Sequence, residues 1–445
     1  MRDLLSIGTS RGCEMIGTGI GLGLSGFRVN PPGIIPTLDL NFASSLSLTS
    51  TSGITPSFSR ASTGTYFNSS GVLSSAAINA PRFDHVYNGS SWVSKGLLIE
   101  EQRTNIALQS STLNTSPWTA FNTTATEGAA PSPDGTSNAS KLVTTTTNGA
   151  HYHYQLIAST AATYTISFYA KSAGYDFVQF SSGIFVDYAN FNLNTGTVGN
   201  KTSGITASIS NVGNGWYRCA CTFTSFSGSY DFGLSVINAD TASRRPSFAG
   251  DGTSGILIYG FQKELGNFST SAIPTTTASV VRSADVCQIT GTDFSGFYNA
   301  SEGSFACEVN PLGGNTVKNQ GIVTANDGTF SNVLGQIRNL QNTNGDYGAF
   351  CRASGTTTMS TVRAAGSTQV GVTFRAATGF KTNDCADSMN GGAVITDSTV
   401  TLPTVNRLTI GDFHTGANTI LNGHIARLRY YNTRLTNSQL QGLTL

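Results

Sequence analysis

The chain has 445 residues, and its 25 Lys+Arg against 24 Asp+Glu give a formal net charge of +1. Only 11 % of the residues are charged, against about 25 % in an ordinary globular domain, and a chain without basic excess lacks the electrostatic footprint of a nucleic-acid binder. No run of 18 apolar residues offers a transmembrane helix, while the 38 % hydrophobic and 10 % aromatic fractions suffice for packed cores.

Such a length predicts two or three domains. Thr, Ser, Gly and Asn abound beside β-branched and aromatic residues, and Glu and Lys are scarce. That profile predicts an all-β protein of many short strands and turns. The seven cysteines are odd in number and show no tight metal-ligand spacing, so neither a disulfide framework nor a zinc site is expected. Unpaired thiols fit folding in a reducing cytoplasm.

Residues 1–37 open the chain. Gly17, Gly19, Gly21 and Gly23 alternate with apolar residues, and Asp3 and Glu14 interrupt them, so a secretory h-region is not formed. The Gly-x-Gly repeat also lacks the spacing of a nucleotide loop. The segment reads as an extended arm whose apolar teeth Ile16, Ile20, Leu22 and Leu24 cannot bury themselves. It is expected to anchor on a partner protein.

Residues 38–109 carry short strands and turns and read as a β-rich collar. Three phrases stand out: Arg60-Ala61-Ser62-Thr63 running to Thr65-Tyr66, Pro81-Arg82-Phe83-Asp84-His85, and Leu97-Leu98-Ile99-Glu100-Glu101-Gln102-Arg103-Thr104-Asn105. In this order and spacing they resemble a family of bacteriophage virion proteins, the head spike or fibre and tail-fibre-like proteins. The resemblance implies a carbohydrate-binding-module-like sandwich next along the chain.

Residues 110–285 read as that sandwich. In the run from Tyr164 to Lys171, Tyr164, Ile166, Phe168 and Ala170 share one face, with Thr165, Ser167, Tyr169 and Lys171 on the other. Such alternation marks a half-buried strand. Cys219 and Cys221 lie two apart in another strand-like run and read as small core residues. Residues 286–445 read as a second sandwich. Its closing run from Gly423 to Leu435 resembles the last strands of concanavalin-A-like or laminin-G-like jelly rolls. A capping box at Thr436 and Gln439 starts a short helix that turns Leu440 and Leu443 inward.

Catalytic constellations are not apparent. Adjacent Glu100 and Glu101 point to opposite faces of an extended strand and cannot grip one glycosidic oxygen together. They are expected to pair with Arg60, Arg82 or Arg103 and lock the collar to the sandwich. His151 and His153 share a strand face, yet no acid or thiol in the run completes a metal site. Asp412 and His414 share a loop with too few acids for calcium. No metal or cofactor is expected.

Sugar binding asks for less: flat aromatic faces with amide and hydroxyl partners on a shallow surface. Trp118, Tyr152, Tyr154, Tyr169, Tyr175, Tyr188 and Tyr230 supply aromatic faces in the first sandwich. The candidate glycan contacts are Trp118, His151, Tyr152, His153, Tyr154 and Tyr169. Together with the resemblance, these residues imply a non-enzymatic virion surface protein, assembled in the host cytoplasm and anchored to capsid or tail proteins by its arm. It would bind host surface polysaccharide and form a homo-oligomer, a trimer by analogy with spikes and fibres. The competing readings are a purely structural decoration or connector protein and a polysaccharide depolymerase.

Overall fold

Two β-sandwiches make up the fold in the computed structural model, which describes residues 34–183, 187–313, 319–339, 345–364, 366–414 and 419–445. The proposed anchor residues Ile16, Ile20, Leu22 and Leu24 lie outside the described residues. Residues 35–445 form one unit, and among the described residues no helix is long and apolar enough to cross a membrane.

The C-terminal sandwich is built from both ends of the described chain. Its eight-stranded sheet runs in the order Ile395–Asp397, Cys385–Met389, Phe374–Lys381, Glu302–Pro311, Gly423–Tyr431, Trp92–Ile99, Phe83–Tyr87, with Leu38–Leu40 also paired to Gly423–Tyr431. The facing seven-stranded sheet starts with Ser57–Ser59 beside Val286–Thr290, then Arg407–Ile410, Gln320–Asn326, Val333–Arg338, Tyr347–Ala353 and Thr356–Ser360. The collar segment is therefore no separate layer. Leu38, Leu40, Leu97 and Ile99 are buried in the same core as Phe305, Phe380 and Tyr430, and outside this sandwich their apolar surface would have nothing to cover it. At the far end of the chain Thr436 accepts from the Gln439 amide while Gln439 accepts from the Thr436 amide, and helix Asn437–Leu443 buries Leu440 and Leu443.

The strand Trp92–Ile99 depends on one glycine. Gly96 holds φ +88°, and a β-carbon there would come within 2.3 Å of the Ile425 carbonyl oxygen. Left-handed backbone costs a side-chain-bearing residue about 1–2 kcal/mol before any clash. Gly96→Ala is expected to lower stability by about 2 kcal/mol or more, read as a reduced denaturant midpoint at unchanged slope.

Residues 106–279 form the other sandwich, inserted through a two-stranded neck in which Arg103–Asn105 pairs with Val280–Arg282. One sheet of the insert has the order Thr206–Asn211, Tyr217–Thr224, Thr163–Ala173, Gly255–Leu265, Ala139–Thr144, Thr123–Ala130; the other has Thr197–Lys201, Tyr188–Asn192, Phe177–Ser182, Gly228–Ile237, Tyr152–Ser159, Thr119–Phe121. Ile166, Phe168, Cys219 and Cys221 of the first sheet meet Val178, Phe180, Phe191 and Leu234 of the second in the shared core. The first sheet's outer surface is also covered: Tyr169, Trp216, Leu257 and Tyr259 pack with Leu73 and Phe67 of the hairpin formed by Gly64–Phe67 and Leu73–Ala76. The second sheet's outer surface is covered over Gln179, Ser181 and Asn190 by the segment 240–245 and is partly open at Tyr152, Tyr154 and Leu156.

The neck is sealed by buried charges. Glu100 pairs with Arg82 at 2.6 Å and Arg282 at 2.7 Å, and Asp285 pairs with Arg82 at 2.5 Å and Arg60 at 3.1 Å. Ser271, on the exit from the insert, donates its amide and hydroxyl to the two oxygens of Glu100. Burial pushes the Glu100 carboxyl up, but Arg282 and Arg82 outweigh it and hold the group well below the usual carboxylate range. Glu101 points the other way and pairs with Arg103 at 2.5 Å.

Candidate functional site

Each candidate glycan contact falls on one side or the other of the insert's sheets, and pleating decides which. Along Tyr152–Ser159 the side chains of His153, Gln155 and Ile157 turn into the core, whereas Tyr152, Tyr154 and Leu156 turn outward. His153 is buried, with Nε2 against the Leu113 carbonyl and Nδ1 against the Thr123 hydroxyl. His151 is buried just before the strand, its ring nitrogens facing the carbonyls of Asn122 and Phe248. Trp118 is buried on Phe261 and donates its indole N–H to the Gln109 carbonyl. Tyr169 is buried under Phe67 on the covered sheet. These four side chains are core and junction residues, which corrects their reading as sugar contacts: no ring face among them reaches solvent.

Tyr152 and Tyr154 remain, half-buried on the open face. Phe121, directly opposite Tyr152 on the edge strand, stacks on it with ring centroids 4.8 Å apart and is 46 % exposed. On the other flank the Arg245 guanidinium sits 4.0 Å from the Tyr152 ring centroid, held by Ser181 and by Asp231 at 2.6 Å on the neighbouring strands. Tyr152 thus stands between a cation and an aromatic ring and serves as a pillar, its two faces occupied. The flat apolar surface offered to a ligand comes from Phe121 and Tyr154.

Beyond Arg245 the floor is polar and buried. Gln179 and Asn190 hydrogen-bond to each other, and both reach up to backbone carbonyls of the segment 240–243. Gln179 also accepts from the Arg245 amide. These amides fix the loop that carries Arg244 and Arg245, and Arg245 itself adopts φ +46°. A left-handed arginine costs energy that the surrounding bonds must supply, and such residues collect at ligand-binding sites. Arg244 donates through Nε and Nη2 to the Ser182 carbonyl. Burial depresses its basicity, as does the charge of Arg245. The result is a surface strip with rings at one end and, at the other, guanidinium groups on a loop that the buried amides hold from below.

Sequence reading missed Phe121, Arg244, Arg245 and Asp231. Phe121 lies on a three-residue edge strand too short to show alternation, and the arginines lie on a loop with no period at all. The one available signal was an adjacent arginine pair in a chain with so few charges.

Among the described residues no three His, Cys, Asp or Glu side chains converge as metal ligands would. One Asp412 oxygen is engaged by the Phe413 amide and the Thr419 hydroxyl. The six described cysteines are buried thiols, and burial pushes them up, Cys351 to about 11 and Cys385 to about 12.

No protein-family model and no curated protein sequence matches the chain. Among solved structures, the CBM40 module of the Ruminococcus gnavus IT-sialidase bound to α2,3 sialyllactose is 13 % identical, covering 34 % of this chain and 88 % of the module, with a TM-score of 0.29. Trypanosoma rangeli sialidase with sialic acid is 9 % identical over 73 % of this chain and 62 % of its own, at 0.27. Domains LG4-5 of the mouse laminin α1 chain are 10 % identical over 75 % of this chain and 94 % of theirs, at 0.24. Scores this low carry no argument about function, which rests on the side chains described above.

Proposed function

We propose that the chain is a non-enzymatic phage virion surface protein that binds glycan on the open face of its inserted sandwich. The observation that carries the glycan reading is the strip itself: Phe121 exposed beside Tyr152 and Tyr154, with Arg245 fixed on the far flank of the Tyr152 ring. Aromatic faces take sugar C–H groups, and fixed guanidinium groups take hydroxyls at little entropic cost. The virion assignment is supported by the three phrases around Arg60, Arg82 and Glu100. Attachment through the N-terminal arm and trimeric assembly belong to the same proposal, and many displayed copies would raise weak single-site affinity through effective concentration.

The absence of hydrolysis is part of the proposal. It is supported by the engagement of Glu100 and Glu101 with guanidinium groups at the neck, away from the aromatic strip.

A glycan array probed with the full chain tests the reading. Phe121→Ala is expected to weaken binding to the best sugar about five- to tenfold, an aromatic contact of about 1–1.4 kcal/mol, with a small fall in melting temperature from loss of the stack on Tyr152. Incubation of the full chain with the bound polysaccharide is expected to release no reducing ends. An array without signal would favour a purely structural virion component. Labelling the protein on imaged particles checks the virion assignment independently.

A further inference from the structure

We infer that the glycan bound on this face is acidic and that Arg244 receives its carboxylate. This inference rests on the glycan reading and deepens it by naming the ligand class. A guanidinium carries five N–H donors. Arg244 uses two nitrogens, Nε and Nη2, on the single Ser182 carbonyl. Its Nη1 makes no hydrogen bond to the described residues, and no ion pair forms on it there. Arg244 is half-buried, so its charge is partly desolvated without a carboxylate in contact.

The neighbouring acids make no ion pair with Arg244, although Asp231 and Asp187 lie near enough to favour its charge. Asp231 is paired with Arg245 at 2.6 Å, Asp187 accepts from the Thr202 hydroxyl at 3.0 Å, and Asp240 accepts from Asn192 at 2.9 Å. A cation fixed by a neutral carbonyl, with the end of its fork unspent, is suited to a planar anion that accepts two parallel hydrogen bonds. The rest of the strip fits the rest of such a ligand, since Phe121 and Tyr154 offer apolar surface to a sugar ring. Arg245 is the positioning residue. Its left-handed backbone and its seat between Asp231 and Tyr152 fix where the preceding residue points.

Titration calorimetry with the full chain tests the inference. The probes are hexuronic-acid oligosaccharides and sialyllactose, each beside its carboxyl-reduced form, with a sulfated neutral oligosaccharide as a further arm. The expected result is binding of at least one acidic probe, at least about tenfold weaker binding of its reduced form (about 1.4 kcal/mol), and loss of that difference in Arg244→Gln. Equal binding of acidic and reduced forms, or an unchanged preference in Arg244→Gln, would overturn the acidic assignment and leave the glycan reading standing. Preference for the sulfated probe would overturn the carboxylate assignment. Binding of no sugar of any kind, on these probes and on the array, would overturn both readings together.

Discussion

Glu100→Ala is expected to destabilise the protein by about 3–5 kcal/mol, the cost of breaking a buried ion pair from one side, while leaving sugar affinity unchanged below the new melting temperature. The carboxylate lies in contact with two fully buried guanidinium groups, Arg82 and Arg282. Burying ions is costly, so the cluster is a poor source of net stability while intact. Removing one anion is a different matter, because three buried guanidinium groups, Arg60, Arg82 and Arg282, are then left with Asp285 alone, which is bonded to the first two. Ser271 would lose the acceptor of its amide and hydroxyl and keep only the bonds its Oγ accepts from Arg82 and Arg282, so the exit of the insert would be held less firmly. The pH dependence gives a second readout. The folded carboxyl is held below its unfolded value of about 4.5, so the unfolded chain binds more protons as pH falls through that value. The advantage of the wild type is full above pH 4.5 and shrinks on acidification below it. Calorimetric melts of both proteins between pH 3 and 7 would show this, and loss of sugar binding by a fully folded Glu100→Ala chain would contradict the structural role.

Lys263→Met is expected to do the reverse and stabilise the insert. Lys263 is fully buried, with Nζ 3.7 Å from the Phe232 ring centroid, 4.5 Å from that of Tyr164, and bonded to the Ser159 hydroxyl. The rings attract the ammonium, but loss of hydration is larger and pushes the group down from 10.5 to about 7. At neutral pH the fold therefore bears a burial cost that an unbranched apolar side chain of similar length avoids, about 2–4 kcal/mol. The unfolded chain binds the extra proton between pH 7 and 10.5, so this residue makes stability rise with pH across that window. The gain from Lys263→Met should be largest below pH 7 and vanish as pH approaches 10.5. Comparing the two proteins at each pH cancels the tyrosines that titrate at the alkaline end. A variant no more stable than wild type at pH 6 would show that the rings and the hydroxyl satisfy the ammonium.

What could be read from the chain follows from the range of each signal. Pleating is local, and it assigned Ile166 and Phe168 to the core and Tyr169 to the opposite surface, where the structure has them. It could not say that the opposite surface would be covered, because the cover, Phe67 and Leu73, lies about a hundred residues upstream. The pairing partners expected of Glu100 included Arg82, whereas Arg282 and Asp285 complete the cluster from 180 residues away with no spacing to announce them. The histidines show the same limit. His151 and His153 share a strand face in sequence, and only the positions of the Leu113, Asn122 and Phe248 carbonyls make that face an interior one. Nor could alternation show that strands on either side of the insert belong to one body, since pairing between Leu38–Leu40 and Gly423–Tyr431 spans almost the whole chain.

The two-stranded neck makes the insert a replaceable cassette. Asn105 and Val280 are cross-strand partners, so the points where the chain departs and returns are already one hydrogen-bonded step apart. A foreign sandwich with adjacent termini could be spliced in there, provided that it covers Leu73 and Phe67 of the host hairpin and supplies donors to Glu100 in place of Ser271. On the proposed glycan reading, changing the ligand would then require exchange of one module together with the contacts it makes to that hairpin.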